Sequence, residues 1–194
     1  MTAPQNYEHV MVDIETMGGA PRGALLAIGA VPFSMHSERL ELAPRELWYD
    51  KRCTLQANVI AGREIDAETV EWWMSQSDEA RAMLVAEPRF ADFRTLIYDF
   101  DDWIRHTDGF ALEKVWAKPP EFDIDILKHA FDSVGAEWPF YRRSSRDLRT
   151  TLDHAEFQNR TDILGLEFEG EKHNAAHDAA HQARQVILAY GGQV

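Results

Sequence analysis

Hydrophobic and polar positions along the chain change their period near residue 65. Before that point, short apolar runs alternate with glycine, proline and polar residues, which is typical of strands and turns. We predict strands at residues 9–15, 24–33 and 46–52. After it, apolar residues recur every three or four positions, which predicts helices.

The helical half of the chain also contains one short strand pattern, at residues 114–117. We predict one helix that begins near Ile65-Asp66. Four further helices should cover residues 89–106, 123–134, 147–157 and 175–190. Strands followed by alternating helices and strands indicate an α/β fold, in which helices flank a mixed β-sheet. Two apolar stripes should face the core, namely Val70, Trp73 and Met74 on the first helix, and Ala176, Ala179, Ala183, Val186 and Tyr190 on the last.

Composition narrows the class of protein. The 194 residues, 45% of them hydrophobic, suffice for one domain over residues 1–194. A single cysteine, Cys53, excludes an internal disulfide and a cysteine-based metal site, which fits a reducing cytosol. Neither a signal peptide nor an apolar stretch of about 20 residues is present, so we expect a cytoplasmic protein without a membrane partner.

The net charge of −13 constrains any nucleic-acid partner. Proteins that wrap long nucleic acids by neutralising phosphates are normally basic. If the chain handles nucleic acid, it should therefore hold only a few nucleotides, with a local basic patch and metal ions supplying the positive charge.

Two carboxylates interrupt the first apolar run, "VMVDIETMGG". Residues i and i+2 of a strand point to the same face, so Asp13 and Glu15 project together while Val12 and Ile14 face the other side. Like charges held side by side require a cation or a shared proton. Carboxylate oxygens select Mg²⁺ or Mn²⁺. The alternative is a strand with one solvated face, and the D-x-E spacing alone does not decide between them.

A third carboxylate lies in "PPEFDIDILKHAF". Asp123 precedes Leu127 by four residues and Phe131 by eight, so on a helix it shares the face that packs on the sheet. It is placed to reach a metal ion, although an interaction with the helix dipole would also explain it. Asp125 points elsewhere and suits that dipole role better.

The last helix supplies a histidine and a fourth carboxylate, in "EKHNAAHDAAHQARQVI". His173 lies at or just before the helix start and Asp178 follows five positions later, so His173 can lie over a site that Asp178 helps to build. His177 and His181 fall on the opposite face of this helix.

These motifs, in this order, resemble the DEDDh 3′–5′ exonuclease superfamily, which includes RNase T and oligoribonuclease. The resemblance rests on "VDIET", "EFDIDIL" and the H-x4-D spacing of "HNAAHDA". It is closest to the phage exonucleases and the mycobacterial polyadenylate-specific exoribonucleases, through "DAETVEWWMSQSDEAR", Val115-Trp116 and "RDLRT". One motif is common, whereas all of them in order over most of the chain are specific.

The resemblance implies an RNase H-like fold and a two-metal phosphodiester hydrolase. Asp13, Glu15, Asp123 and Asp178 would hold two Mg²⁺ or Mn²⁺ ions about 4 Å apart. Neutral His173 would act as the general base. The products would be nucleoside 5′-monophosphates, released singly from a single-stranded 3′ end. RNA is favoured over DNA, and frequent dimerisation in the family suggests a homodimer.

The sequence also predicts residues that contact the substrate. By resemblance, Thr16 and Met17 adjoin the terminal nucleotide. Trp72 cannot share a helix face with Trp73, and Trp73 belongs to the apolar stripe predicted to face the core. Trp72 is therefore the better base-stacking surface, although both could be structural. The segment "YRRSSRDLR" contains Arg142, Arg143 and Arg146, a phosphate-binding patch or an ordinary solvated segment. Asp147 within it suits a helix cap better than a metal ligand.

One segment departs from the family pattern. The chain has Lys118-Pro119-Pro120-Glu121 where relatives have a small, glycine- or asparagine-rich turn, which puts the path of this loop in doubt. Two rival functions also have some support in the sequence. The His177-Asp178 dipeptide resembles HD phosphohydrolases, but these are all-helical. A non-catalytic nucleic-acid-binding relative would have no reason to keep all five site residues.

Overall fold

A computed structural model describes residues 6–36 and 39–193 of the chain. The strands are β1 (Tyr7–Thr16), β2 (Leu25–His36), β3 (Arg39–Leu42), β4 (Tyr49–Cys53), β5 (Arg89–Phe90), β6 (Phe110–Ala117) and β7 (Ser145–Asp147). The helices are α1 (Leu55–Ile60), α2 (Ala67–Met74), α3 (Asp78–Leu84), α4 (Phe93–His106), α5 (Pro120–Val134), α6 (Leu148–Phe157), α7 (Thr161–Leu164) and α8 (Ala175–Ala189).

In the described part of the chain, the strands form one seven-stranded sheet in the order β5-β4-β2-β1-β6-β7, with β3 also paired to β2. Strand β2 is antiparallel to β1, β3 and β4. The β1–β6, β4–β5 and β6–β7 pairs are parallel. The predicted mixed α/β sheet is therefore confirmed, with β1 near its centre.

Strand β1 divides the core into two layers because its side chains alternate between the two faces of the sheet. Val10, Val12 and Ile14 are buried in a cluster built largely by α4 and α5. Met11 lies in a second cluster, formed with α6 and α8 on the opposite face. The same alternation directs Asp13 and Glu15 toward α8, which sets the face of the sheet on which a site can form.

Helix α8 begins against β2 at a glycine. A Cβ atom added to Gly29 would lie 2.0 Å from the carbonyl carbon of Ala175 and 2.2 Å from its oxygen. Gly29 is also paired with Asp13 in the sheet. The missing side chain therefore allows the first turn of α8 to approach the sheet directly beside Asp13.

Gly29→Ala is expected to lower the free energy of unfolding by about 1–3 kcal/mol, since the new methyl group would press on helix backbone that cannot rotate away. The measurement is chemical denaturation at equilibrium. Gly19→Ala is the matched control, because a Cβ at Gly19 meets nothing within 4 Å. An equal loss in both variants would contradict the close-approach argument.

The structure corrects the predicted ends of several helices and strands. Glu46 lies in a 3₁₀ turn, Arg45–Leu47, and Phe90 lies in β5 before α4 begins. Met74 is 71% exposed and Tyr190 is 59% exposed, so neither belongs to the core. Both stand where their helix ends, so the helical period no longer fixes the direction of the side chain.

The short elements α1, α3, α7, β3, β5 and β7, each of two to seven residues, were not predicted from the sequence.

Candidate active site

Three carboxylates from two elements converge on the α8 face of the sheet. One oxygen each of Asp13, Glu15 and Asp178 lies within 4.8 Å of the others. Asp178 stands in the first turn of α8, which Asn174 caps by accepting the backbone N–H groups of Ala176 and His177, both at 3.1 Å. The strand period and the docking of α8 thus build a compact cluster of oxygen ligands.

Asp123 approaches this cluster from the opposite layer. Its Oδ1 accepts the backbone N–H of Ile14, the residue between Asp13 and Glu15, at 3.2 Å. Asp123 is 4% exposed, whereas Asp125 is exposed, so the predicted inward face of this helix is confirmed. Asp123 lines the same cleft as the three carboxylates but lies outside their 4.8 Å group.

The proline-rich departure from the family pattern forms the start of α5. Pro119 is the N-cap residue and Pro120 the first helical residue, where a missing N–H has no helical partner to lose. The backbone N–H of Asp123 contacts the carbonyl oxygen of Pro119 at 3.3 Å. This unusual loop therefore still directs Asp123 inward.

Burial and mutual repulsion oppose ionisation of the carboxyl groups. The pKa of Asp13 lies well above its usual value, because the group is buried and faces Asp123, Glu15 and Asp178. Burial, with Asp178 and Asp123, raises the pKa of Glu15 to about 9, against the smaller opposing effect of Arg52. Burial raises the pKa of Asp123 to about 7 and also raises the pKa of Asp178.

These carboxylates fit a divalent cation. Oδ2 of Asp178 is buried and has no hydrogen-bond partner among the described residues, so it is free to ligate. Carboxylate oxygens are the ligands that Mg²⁺ and Mn²⁺ prefer, and a bound cation would favour the ionised form of each carboxyl group.

His173 immediately precedes the N-cap residue of α8 and has a left-handed backbone, with φ of 62°. That conformation is uncommon for a residue other than glycine and recurs at functional sites. The His173 ring packs edge-on against Trp72 and Trp73, with centroids 5.5 Å and 5.7 Å away. Trp73 in turn donates Nε1–H to the carbonyl oxygen of Thr16 at 2.8 Å. The tryptophan pair thus fixes the histidine beside the carboxylates.

Most of the predicted site residues line one cleft of about 310 Å³. Its lining includes Asp13, Glu15, Thr16, Trp72, Asp123, His173 and Asp178. It also includes Thr69, Phe122 and Lys118, which the sequence analysis did not predict. Trp72 is 46% exposed there, whereas Trp73 is buried, in agreement with the predicted difference between them.

Four predicted substrate contacts do not line this cleft as the described residues form it. The backbone of Met17 is tied to other segments, through its N–H to Ala24 and its carbonyl oxygen to Asp66. Arg143 and Arg146 line a separate groove of about 570 Å³. Lys114 and Tyr141 belong to the same groove, and Arg142 contacts the ring of Tyr141. Asp147 caps α6 by accepting the N–H of Arg149, as predicted.

One polar residue that touches the carboxylates was missed. Gln182 donates Nε2–H to Oδ1 of Asp13 at 2.7 Å. It follows Asp178 by four positions on α8, so the i, i+4 rule could have found it.

The histidines of the HD-like pattern take no part in the carboxylate cluster. His177 accepts the N–H of Glu171 at 3.0 Å, and the ring of His181 lies 5.1 Å from that of Phe168. Both are half-buried, because residues 168–171 cover this face of the helix. Burial lowers the pKa of His181.

Among the described residues, no helix is both long and apolar enough to cross a membrane.

The chain is similar to known nucleases in sequence and in fold. The family model of the 3′-5′ exoribonuclease Rv2179c-like domain matches residues 8–189. An exodeoxyribonuclease of Enterobacteria phage T4 is 26% identical over 121 residues, which cover 60% of this chain. That match spans only 52% of the phage protein.

Solved structures show the same fold. Cell-death related nuclease 4 (CRN-4) aligns with a TM-score of 0.64 and 11% identity, over 95% of this chain and 64% of that one. The nuclease domain of 3′hExo, a DEDDh family member bound to rAMP, aligns with a TM-score of 0.58 and 12% identity, over 96% and 93% of the two chains. The RNase H-like α/β fold expected from the sequence is therefore confirmed.

Proposed function

The chain belongs to the family of Rv2179c-like 3′-5′ exoribonuclease domains, and from that premise we propose that it is a metal-dependent 3′–5′ exonuclease. It hydrolyses single-stranded RNA from the 3′ end and releases nucleoside 5′-monophosphates. Residues 1–194 act as a single exonuclease domain. The main support is the cluster of Asp13, Glu15 and Asp178, completed by Asp123 and His173 in one cleft.

The carboxylates would hold two Mg²⁺ or Mn²⁺ ions. Asp13, Glu15, Asp123 and Asp178 supply the oxygen ligands that these ions prefer. When bound, such ions activate an attacking water molecule and stabilise the charge that develops on the leaving oxygen. The carboxylates of the protein orient that chemistry, because β1, α5 and α8 hold them in place before substrate arrives.

His173 is the proposed general base. A ring nitrogen of its neutral imidazole accepts the proton of the attacking water. Its position against Trp72 and Trp73 limits the directions the ring can take, so that the proton transfer is oriented in advance.

RNA is proposed over DNA on the comparisons. The family model is that of an exoribonuclease. A solved structure of the same fold, with a TM-score of 0.58 and 10% identity, concerns 3′-end specific recognition of histone mRNA stem-loop by a 3′-exonuclease. The phage relative is an exodeoxyribonuclease, which favours single-stranded DNA as the alternative substrate. Homodimerisation and a cytoplasmic location stay predictions.

The proposal is tested by incubating 5′-labelled single-stranded RNA and DNA of one sequence with Mg²⁺ or Mn²⁺. A ladder that shortens from the 3′ end is expected, faster on RNA, and absent with a chelator or in Asp13→Ala. Asp125→Ala is the control, because its carboxylate is exposed on α5. Faster DNA shortening would reverse the substrate assignment. Binding without cleavage under either metal would instead identify a non-catalytic nucleic-acid-binding protein.

Trp72 is proposed to stack on a base of the substrate. Stacking on an aromatic side chain contributes about 1–3 kcal/mol per base, so Trp72→Ala should raise KM for RNA about 5- to 150-fold, while Trp72→Phe retains most affinity. Met74→Ala is the control, exposed on the same helix outside the cleft lining. An unchanged KM in Trp72→Ala would show that both tryptophans are structural.

The basic groove beside β7 is proposed to bind phosphates upstream of the 3′ end. Arg142→Ala/Arg143→Ala should weaken binding of long RNA and lower the slope of log K against log salt by about 1.4, since each single-strand phosphate contact contributes about 0.7. A dinucleotide, which occupies the cleft alone, should be unaffected. Arg160→Ala, paired with Asp162 elsewhere, is the control. Equal weakening by all these variants would indicate a general charge effect.

A further inference from the structure

Gln182 combines burial with a direct contact to the site. It stands one helical turn after Asp178 on α8 and is 8% exposed. Its Nε2 lies 2.7 Å from Oδ1 of Asp13, across a sequence separation of 169 residues. This hydrogen bond links α8 to β1 at Asp13, the first carboxylate of the family motifs.

The chemistry of the two groups fixes the direction of the Gln182 amide. A carboxylate that holds a cation is ionised and only accepts hydrogen bonds, so in metal binding the NH₂ end of the amide must face Asp13. Oε1 of Gln182 is buried and has no partner among the described residues. Within the described structure, the bond to Asp13 is therefore the hydrogen bond that orients this buried side chain.

We propose that Gln182 is a positioning residue for metal binding, which holds Oδ1 of Asp13 and leaves the second carboxylate oxygen free for a cation. The inference rests on the proposed exonuclease function, because it concerns the same carboxylates. Partners that hydrogen-bond to metal ligands fix the orientation of those ligands, and their removal typically reduces metal affinity about 10- to 100-fold.

The same helix provides a matched control. Gln185 is also buried, at 6% exposure, and its Oε1 likewise has no partner among the described residues. Its Nε2 contacts the carbonyl oxygen of Ile163 at 3.4 Å. Gln185→Leu therefore removes a buried amide of the same kind from α8 without touching a carboxylate of the site.

The test is Mn²⁺ binding to the full chain, measured by isothermal titration calorimetry at one pH. Gln182→Leu should raise the Kd for Mn²⁺ about 10- to 100-fold, and Gln185→Leu should leave it within about threefold. The Mn²⁺ concentration that gives half-maximal RNA shortening should rise by the same factor as the Kd. Gln182→Met, closer in length to glutamine and also without a donor, is measured in parallel in case the leucine variant does not fold.

Each other outcome overturns a defined statement. An unchanged Kd in a folded Gln182 variant, beside a wild-type protein that binds Mn²⁺ and shortens RNA, overturns the role of Gln182 alone. Equal weakening in the Gln182 and Gln185 variants overturns it too, since a general loss of packing in α8 would then be the cause. Failure of the wild-type protein to bind Mn²⁺ overturns the metal-dependent function and the inference with it.

Discussion

Glu15→Gln is expected to reduce the rate of 3′ shortening by at least about a thousandfold, which corresponds to about 4 kcal/mol of transition-state stabilisation. The substitution keeps the shape of the side chain and removes one negative charge from the group formed with Asp13 and Asp178. A neutral amide is a poorer ligand for a hard cation than a carboxylate. The measurement is the rate on labelled RNA at saturating Mg²⁺, with the exposed Glu156→Gln as control.

The same variant should stabilise the metal-free protein at pH 8. The Glu15 carboxyl group has an ordinary pKa of 4.5 and a folded-state pKa of about 9. Between these values the folded protein keeps the proton that the unfolded chain releases, so wild-type stability falls as pH rises, by about 1.4 kcal/mol per pH unit for this group. Glutamine has no such proton, and its contribution does not change with pH.

Denaturation midpoints from pH 5 to pH 9 in the presence of a chelator test this prediction. The advantage of Glu15→Gln over wild type should grow with pH, and added Mn²⁺ should reverse it by stabilising only the wild type. A constant difference across this range would contradict the raised pKa of Glu15.

His173→Gly is expected to lower kcat about 10²- to 10⁴-fold, the usual contribution of a general base. Glycine accepts the left-handed backbone of this position, so the helix start that carries Asp178 should stay in place. Added imidazole should restore part of the lost rate, because it can enter the vacated space and accept the proton. Mn²⁺ affinity should stay within about threefold of wild type.

His154→Ala, exposed on α6, is the control for that experiment. A loss of rate with no imidazole rescue and with weakened Mn²⁺ binding would assign His173 a structural role at the start of α8. Full activity in His173→Gly would remove it from the mechanism.

The direction of the site side chains could be read from the sequence. The alternation of β1 places Asp13 and Glu15 on one face, and the helical period of α5 separates the inward Asp123 from the exposed Asp125. The spacing of His173 and Asp178 lies within a single local motif. Side-chain direction follows from periods of 2 and 3.6, which depend only on the local backbone.

The distances between elements were decided by tertiary structure. Gly29 allows α8 to approach β2, which brings Asp178 and Gln182 to Asp13. Arg143 lies in a groove apart from the cleft. The sequence around Arg143 does not show whether this residue lines the cleft or a separate surface. Side-chain direction is a local property of the backbone, whereas which groups meet depends on strand register and helix docking, set by contacts between residues far apart in the chain.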